Sequence, residues 1–263
     1  MSNSSEKLPG MKLFDLTGRA AIITGGSKGL GLAMAEGVAA AGGNVLLVSR
    51  TQAECDAAAD KIKNLYGTGA IGFAADVTKQ ADMENMAALC LKKFGSVDIL
   101  INSAGINIRG AIDELSLDDF TKVMDINVTG TWLASKAVTP IMKKQKKGKI
   151  INLASTLGLV GLANRTPYTA SKGAVVNMTK ALALELATEN INVNAICPGP
   201  FLTEMNEPIK NTEEGKKFIV GATAVGRWGI LAEIQGVAMF LASDASNYMM
   251  GSCLLVDGGW VAR

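Results

Sequence analysis

The chain has 263 residues, of which 48% are hydrophobic and 19% charged, with a formal net charge of +2. Such a length admits one or two domains and a core that needs no disulfide or metal staple, and so small a charge gives no case for nucleic acid or a membrane surface as partner. Histidine is absent, which excludes a Ser-His-Asp hydrolase, a histidine-ligated metal site and a histidine proton shuttle together.

Residues 1–15 read as a loose polar arm without the apolar segment of a signal peptide. The apolar run at 20–23 predicts a strand covered on both faces. A glycine-rich turn follows, then an apolar helix over 30–41 that Gly42 and Gly43 stop. The alternation continues with strand 45–48, helix 54–65, strand 70–74, helix 82–94, strand 99–101 and one long helix over 118–142. Strand 150–153, helix 168–187 and strand 193–196 come next. A charged stretch over 201–226 reads as a mobile lid, before a helix near 233–241 and a last strand at 253–256. Seven short apolar strands alternating with helices predict a doubly wound parallel sheet with helices on both faces, in a single domain. The basic run at 143–149 falls where a helix ends and suits its dipole. Cys55, Cys90, Cys197 and Cys253 lack metal-ligand spacing, and no apolar run is long enough to span a bilayer. A cytoplasmic protein with free thiols and no metal site is expected.

Between the first strand and first helix lies Thr24-Gly25-Gly26-Ser27-Lys28-Gly29-Leu30-Gly31. Glycines let a backbone approach a phosphate closely, and a helix N-terminus beyond them supplies N–H groups and a partial positive charge. At the end of the second strand an acidic residue would bind a ribose diol; here the residues are Ser49-Arg50-Thr51. Arg50 offers a guanidinium fork to a 2′-phosphate, with Lys28 as a second cation. The pattern therefore favours NADP(H) over NAD(H).

Tyr168 and Lys172 are four apart on a predicted helix, so they share a face. A free phenol titrates near 10. An ammonium at about 4 Å contributes on the order of 4 kcal/mol at an effective dielectric near 20, enough to bring the phenol to about 7 or 8. That is a tunable proton donor of the kind carbonyl reduction requires. Asn127 interrupts an apolar face with Val123, Met124, Val128 and Trp132. It either bonds a backbone carbonyl or, with Lys172, holds a water that feeds protons to the tyrosine. Ser155 is either a plain loop serine or a donor to the substrate oxygen.

Taken together these residues resemble the short-chain dehydrogenase/reductase family, from about residue 16 to the C-terminus. The likeness rests on the glycine turn at 24–31, Asp76-Val77, Asn102-Ser103-Ala104-Gly105, Asn127, Ser155, Tyr168 with Lys172, and Pro198-Gly199, each following its strand in family order. Ser103 and Ala154 depart from the commoner asparagine and serine. The resemblance implies a Rossmann-like fold and hydride exchange between a ketone and a secondary alcohol, with Asn127, Ser155, Tyr168 and Lys172 as the catalytic set. It also implies that Asp76 and Val77 hold the adenine, that Asn102, Ala104 and Gly105 lie along the adenosine ribose, and that Lys172 holds the nicotinamide ribose. Pro198, Gly199, Phe201 and Thr203 would line the nicotinamide.

Thr203-Glu204-Met205-Asn206 and Gly226-Arg227-Trp228-Gly229 resemble gluconate 5-dehydrogenase-type members. A keto sugar acid or polyol is then the expected substrate, with Arg109 or Arg165 on its carboxylate and Met205 nearby; either arginine serves equally as a surface or subunit contact. The alternatives are a 3-oxoacyl-carrier-protein or broad ketone reductase and, in a different class, a non-catalytic NADP-binding regulator. Family members commonly assemble as homotetramers or homodimers, and the apolar helices over 118–142 and 168–187 suit such pairing.

Overall fold

The strands are short and almost wholly apolar because both of their faces are covered. In β1 (Ala20–Thr24) every residue is buried. Ala21 and Ile23 enter one core while Ala20 and Ile22 enter the other, the two-residue alternation of a pleated strand. β4 (Ile99–Asn102) and β6 (Ile191–Pro198) are likewise buried throughout, β2 (Asn44–Ser49) is buried except at its two ends and β5 (Gly148–Leu153) except at its last residue. β3 (Ala70–Ala74) and β7 (Cys253–Val256) form the edges and are more open.

These features come from a computed structural model that describes residues 8–262. The strands make one seven-stranded sheet in the order β3-β2-β1-β4-β5-β6-β7, and every neighbouring pair is parallel. Helices α1 (Gly29–Ala40), α2 (Gln52–Tyr66) and α7 (Gln235–Ala242) pack on one face through Met34, Val38, Ile62, Ala238 and Leu241. Helices α3 (Gln80–Phe94), α5 (Gly130–Gln145) and α6 (Thr166–Leu186) cover the other through Met83, Met86, Val138, Met142 and Leu186. This is the doubly wound, Rossmann-like single domain expected from the sequence. Among the described residues no helix is long and apolar enough to cross a membrane.

Ile23 pairs with Leu47 on one side and Ile101 on the other. The chain thus winds outward from β1 to β3 and then returns to β4. Loops leaving β1 and β4 diverge at this switch point, and a crevice opens above the carboxyl ends of the strands.

The predicted long helix over 118–142 is real as a rod but not as a uniform helix. A capping box of Ser116 and Asp119 starts α4 (Leu117–Met124), a π-helical turn spans Asp125–Thr129, and α5 continues from it. Apolar spacing does not encode that widened turn; the tertiary bonds of Asn127 hold it. Of the expected N-terminal arm, residues 1–7 lie outside the described residues. The remainder contains a 3-10 turn, Gly10–Phe14, with the Phe14 ring 6.4 Å from that of Phe240. The segment after β6 is a chain of short turns, pinned to the body where Phe201 bridges Gly229.

Candidate active site

The glycine turn is built by close packing. Gly25 has φ +64°, and a Cβ there would meet the Ala104 nitrogen at 2.8 Å; one on Gly31 would meet the Gly25 oxygen at 2.1 Å. Only glycine lets β1, the turn and the start of α1 come so near one another. The Thr24 hydroxyl accepts from the N–H groups of Ser103 (3.2 Å) and Ala104 (3.3 Å), which ties the turn to the end of β4. Lys28, at the N-cap of α1, makes no side-chain cap.

The turn forms one wall of a crevice of about 840 Å³. Gly25, Ser27, Lys28, Gly29, Leu30 and Gly31 line it, and Ser49, Arg50 and Thr51 close its far end. Asp76, Val77, Ala104 and Gly105 line its middle. Tyr168, Lys172, Pro198, Gly199, Phe201, Thr203 and Met205 complete it. Thr78 donates its N–H (3.0 Å) and its hydroxyl (2.8 Å) to Asp76 Oδ1. These bonds hold the Asp76 carboxyl below its ordinary range, helped by the charges of Lys79 and Arg50. The Phe201 ring is buried against Gly229. Lys28 lies 3.1 Å from Glu204 in an exposed ion pair that spans from the glycine turn to the segment after β6.

Three expected positions, Asn102, Asn127 and Ser155, are not among the residues that line the crevice. Asn102 does not line the crevice: its side chain points into the interior, donating to Asn152 Oδ1 (2.9 Å) and the Ser135 hydroxyl (3.1 Å). Asn152 in turn donates to Thr179 (2.9 Å), so a buried polar ladder joins β4, β5, α5 and α6 beneath the site. Asn127 is buried and also outside the crevice. Its Oδ1 accepts the Ile106 N–H (2.8 Å), and its Nδ2 donates to the Ile106 carbonyl (3.0 Å) and the Ser171 hydroxyl (2.9 Å). Both amide hydrogens are thus spent on protein acceptors. In this arrangement Asn127 braces the loop after β4 against α6.

Helical spacing puts Tyr168 and Lys172 on one face of α6, as expected, with the Lys172 Nζ 5.6 Å from the Tyr168 ring centroid. Lys172 is buried and donates to the Leu153 carbonyl at 2.6 Å. Burial pulls its pKa down from 10.5 to about 8. The Tyr168 pKa is raised, contrary to the expectation from spacing alone. Tyr168 is half-buried, and the desolvation of its phenol outweighs a hydrogen bond from Ser155 and the charge of Arg109, both of which act to lower it. Desolvation, which opposes any buried charge, wins over the attraction between neighbours. Ser155 is buried and does not line the crevice; its hydroxyl also accepts the Leu157 N–H (3.1 Å).

Beside Tyr168 a smaller pocket of about 100 Å³ branches off. It shares Tyr168, Gly199, Met205 and Asn206 with the crevice and adds Asn107, Arg109, Arg165, Trp228 and Trp260. Arg109 and Arg165 therefore sit in one pocket. Arg109 also donates to Asn206 Oδ1 (3.1 Å), and Arg165 is buried and bonds the Asn164 carbonyl (2.8 Å). Arg227 instead forks onto Glu233 (2.6 and 2.9 Å) and braces the chain. Sequence reasoning passed over Asn107, Trp228 and Trp260 as site residues. The one available signal for Trp260 was an aromatic placed directly after Gly258-Gly259 beyond the last strand.

A family model for short chain dehydrogenase matches residues 19–214. Gluconate 5-dehydrogenase of Gluconobacter oxydans is 37% identical, over 94% of this chain and 96% of its own length. The 5-keto-D-gluconate 5-reductase of Escherichia coli is 36% identical, over 94% of this chain and 97% of its own. Among solved structures, a gluconate 5-dehydrogenase from Burkholderia cenocepacia in complex with NADP and tartrate matches with a TM-score of 0.92 at 34% identity, covering 96% of this chain and 99% of that one. The chain belongs to the short-chain dehydrogenase family and is an oxidoreductase acting on CH–OH groups.

Proposed function

We propose that the protein exchanges hydride between NADP(H) and a keto sugar acid or the corresponding polyol acid. The observation that carries this reading is Tyr168, which lines both the long crevice and the small pocket and so stands where a cofactor and a substrate would meet. A nicotinamide dinucleotide fits the crevice on this chain's own features. A Cβ on Gly29, at φ +56°, would come near only the Thr203 methyl at 4.0 Å, which leaves the backbone open for a diphosphate. At the far end Arg50 supplies a fork for a 2′-phosphate, and no acidic residue stands at the end of β2. The bound cofactor supplies or accepts the hydride.

The chain's residues manage the proton. The Tyr168 phenol is protonated at neutral pH, the form from which a general acid gives its proton. In ketone reduction Tyr168 gives its proton to the carbonyl oxygen as negative charge develops there, while Ser155 donates a hydrogen bond to the same oxygen. Lys172 stabilises the tyrosinate left behind, and Asn127 holds the loop and α6 in register. Alcohol oxidation runs these steps in reverse. Arg109 and Arg165 supply the positive charge for a substrate carboxylate, and Met205 borders it. Residues 201–226 act as a lid, which Lys28 and Glu204 link to the glycine turn. The relatives' names support the sugar-acid class, and the B. cenocepacia complex supports NADP. We place the enzyme in the cytoplasm as a homotetramer; exposed Phe120, Trp132 and Leu184 on α4, α5 and α6 support such pairing.

NADPH oxidation followed with a 5-keto hexonate tests the reading. The wild type turns over; Tyr168→Phe loses at least about 10²-fold in kcat, the low end for a general acid, while its NADPH affinity stays within a few-fold. Comparable turnover in the two proteins refutes the assignment of Tyr168.

A further inference from the structure

We propose that Asn107 and Trp260 set substrate specificity by reading hydroxyl groups on the substrate carbons next to the reacting carbonyl. The inference rests on the reading of Tyr168 as the proton donor and of the substrate as a hydroxylated ketone. Asn107 Oδ1 and Trp260 Nε1 are both buried without a hydrogen-bond partner, and both residues line the small pocket beside Tyr168. Buried polar atoms are nearly always satisfied, so two orphans in one pocket call for an explanation.

Their chemistry is complementary. The amide oxygen takes a hydrogen, whereas the indole N–H gives one. An apolar acyl chain satisfies neither, and a carboxylate, which only accepts, satisfies Trp260 alone. Aliphatic hydroxyls donate and accept, so a short polyol chain satisfies both. The pocket's volume of about 100 Å³ holds roughly three water-sized groups, enough for a hydroxylated tail leading away from Tyr168.

Both residues are held from behind. Trp260 follows a turn in which Gly258 and Gly259 are left-handed (φ 62° and 79°). The Asp257 carboxylate accepts the N–H groups of Gly259 (2.9 Å) and Val261 (2.9 Å). The Gly258 carbonyl accepts from Ala224 (2.8 Å), which ties this turn to the segment after β6. Asn107 follows Ile106, whose N–H and carbonyl are both bonded by Asn127. These bonds hold the backbone that carries each side chain, support of the kind that recognition of hydroxyls requires.

The experiment measures kcat/KM for ketones with increasing numbers of hydroxyls, in neutral and carboxylate-terminated series, and expresses each as a ratio to an unsubstituted ketone. In the wild type the ratio rises with hydroxyl number. Trp260→Phe keeps the ring and deletes the N–H; it lowers the ratio about 3- to 10-fold, as loss of one neutral hydrogen bond should. Asn107→Leu lowers it similarly, and if that variant folds poorly Trp260→Phe decides alone. A wild type that favours the hydroxylated series while neither variant lowers the ratio overturns the proposal and leaves the sugar-acid reading standing. Preference for neutral hydroxy ketones over keto acids, lost in Trp260→Phe, overturns the sugar-acid reading and supports the proposal. A wild-type ratio that does not rise with hydroxyl number overturns the proposal, and turnover of no ketone overturns both.

Discussion

Replacing Lys172 with methionine separates what the site needs from what the fold tolerates. Burial lowers the Lys172 pKa from 10.5 to about 8, which corresponds to roughly 3 kcal/mol of opposition to keeping the ammonium charged at neutral pH. Methionine removes that cost but also the 2.6 Å bond to the Leu153 carbonyl, which is worth about 1.5–3 kcal/mol for a charged donor. At about pH 7 the two effects nearly cancel, and the variant's stability falls within about 1–2 kcal/mol of wild type. The pH dependence is the sharper readout. Between about 8 and 10.5 the unfolded state binds the Lys172 proton and the folded state does not, so wild-type stability rises with pH through that window. Relative to Lys172→Met, the wild type should gain about 2 kcal/mol between roughly pH 7 and 9.5. Lys149, which burial also pulls down to about 8, is present in both proteins and cancels from the difference. Urea unfolding at fixed protein concentration gives the four free energies. Parallel pH dependences, agreeing within about 0.5 kcal/mol, would show that Lys172 is not desolvated as described and would remove the physical basis for its role beside Tyr168.

Arg50→Asp should reverse cofactor choice, because it swaps a phosphate fork for a diol acceptor at the end of β2; the ratio of kcat/KM for NADPH over NADH should fall at least about 10-fold, and an unchanged ratio would place the discriminating charge elsewhere. Asn127→Ala strands the Ile106 N–H and carbonyl and removes the donor to the Ser171 hydroxyl, which keeps its bond to the Tyr168 carbonyl. It should cost about 2–4 kcal/mol of stability in chemical denaturation, and a loss under about 0.5 kcal/mol would mean that the brace is redundant.

Much of this protein is legible as a string. Apolar runs such as 20–23 and 45–48 predict strands because a strand covered on both faces has no polar alternation to keep. The i, i+4 spacing of Tyr168 and Lys172 puts them on one face wherever the helix lies. The glycines from Gly25 to Gly31 announce a turn that only a backbone without Cβ atoms can make. These are local consequences of periodicity and sterics, and they suffice for the strands, the turn and a doubly wound parallel sheet, while the strand order comes from the structure.

What depended on tertiary structure is whatever depends on partners far apart in the chain. Asn102 turned inward because Ser135 and Asn152 wait beneath it. Asn127 became a brace because Ile106 and Ser171 take its amide. The Tyr168 pKa moved up because burial, which is a property of the whole fold, outweighs one neighbour's charge. Trp260 reaches the small pocket beside Tyr168, 92 residues earlier in the chain, because β7 pairs with β6 and a left-handed glycine pair follows it. Spacing along a sequence carries no information about such meetings; only the closing of the sheet brings those groups within a hydrogen bond of one another.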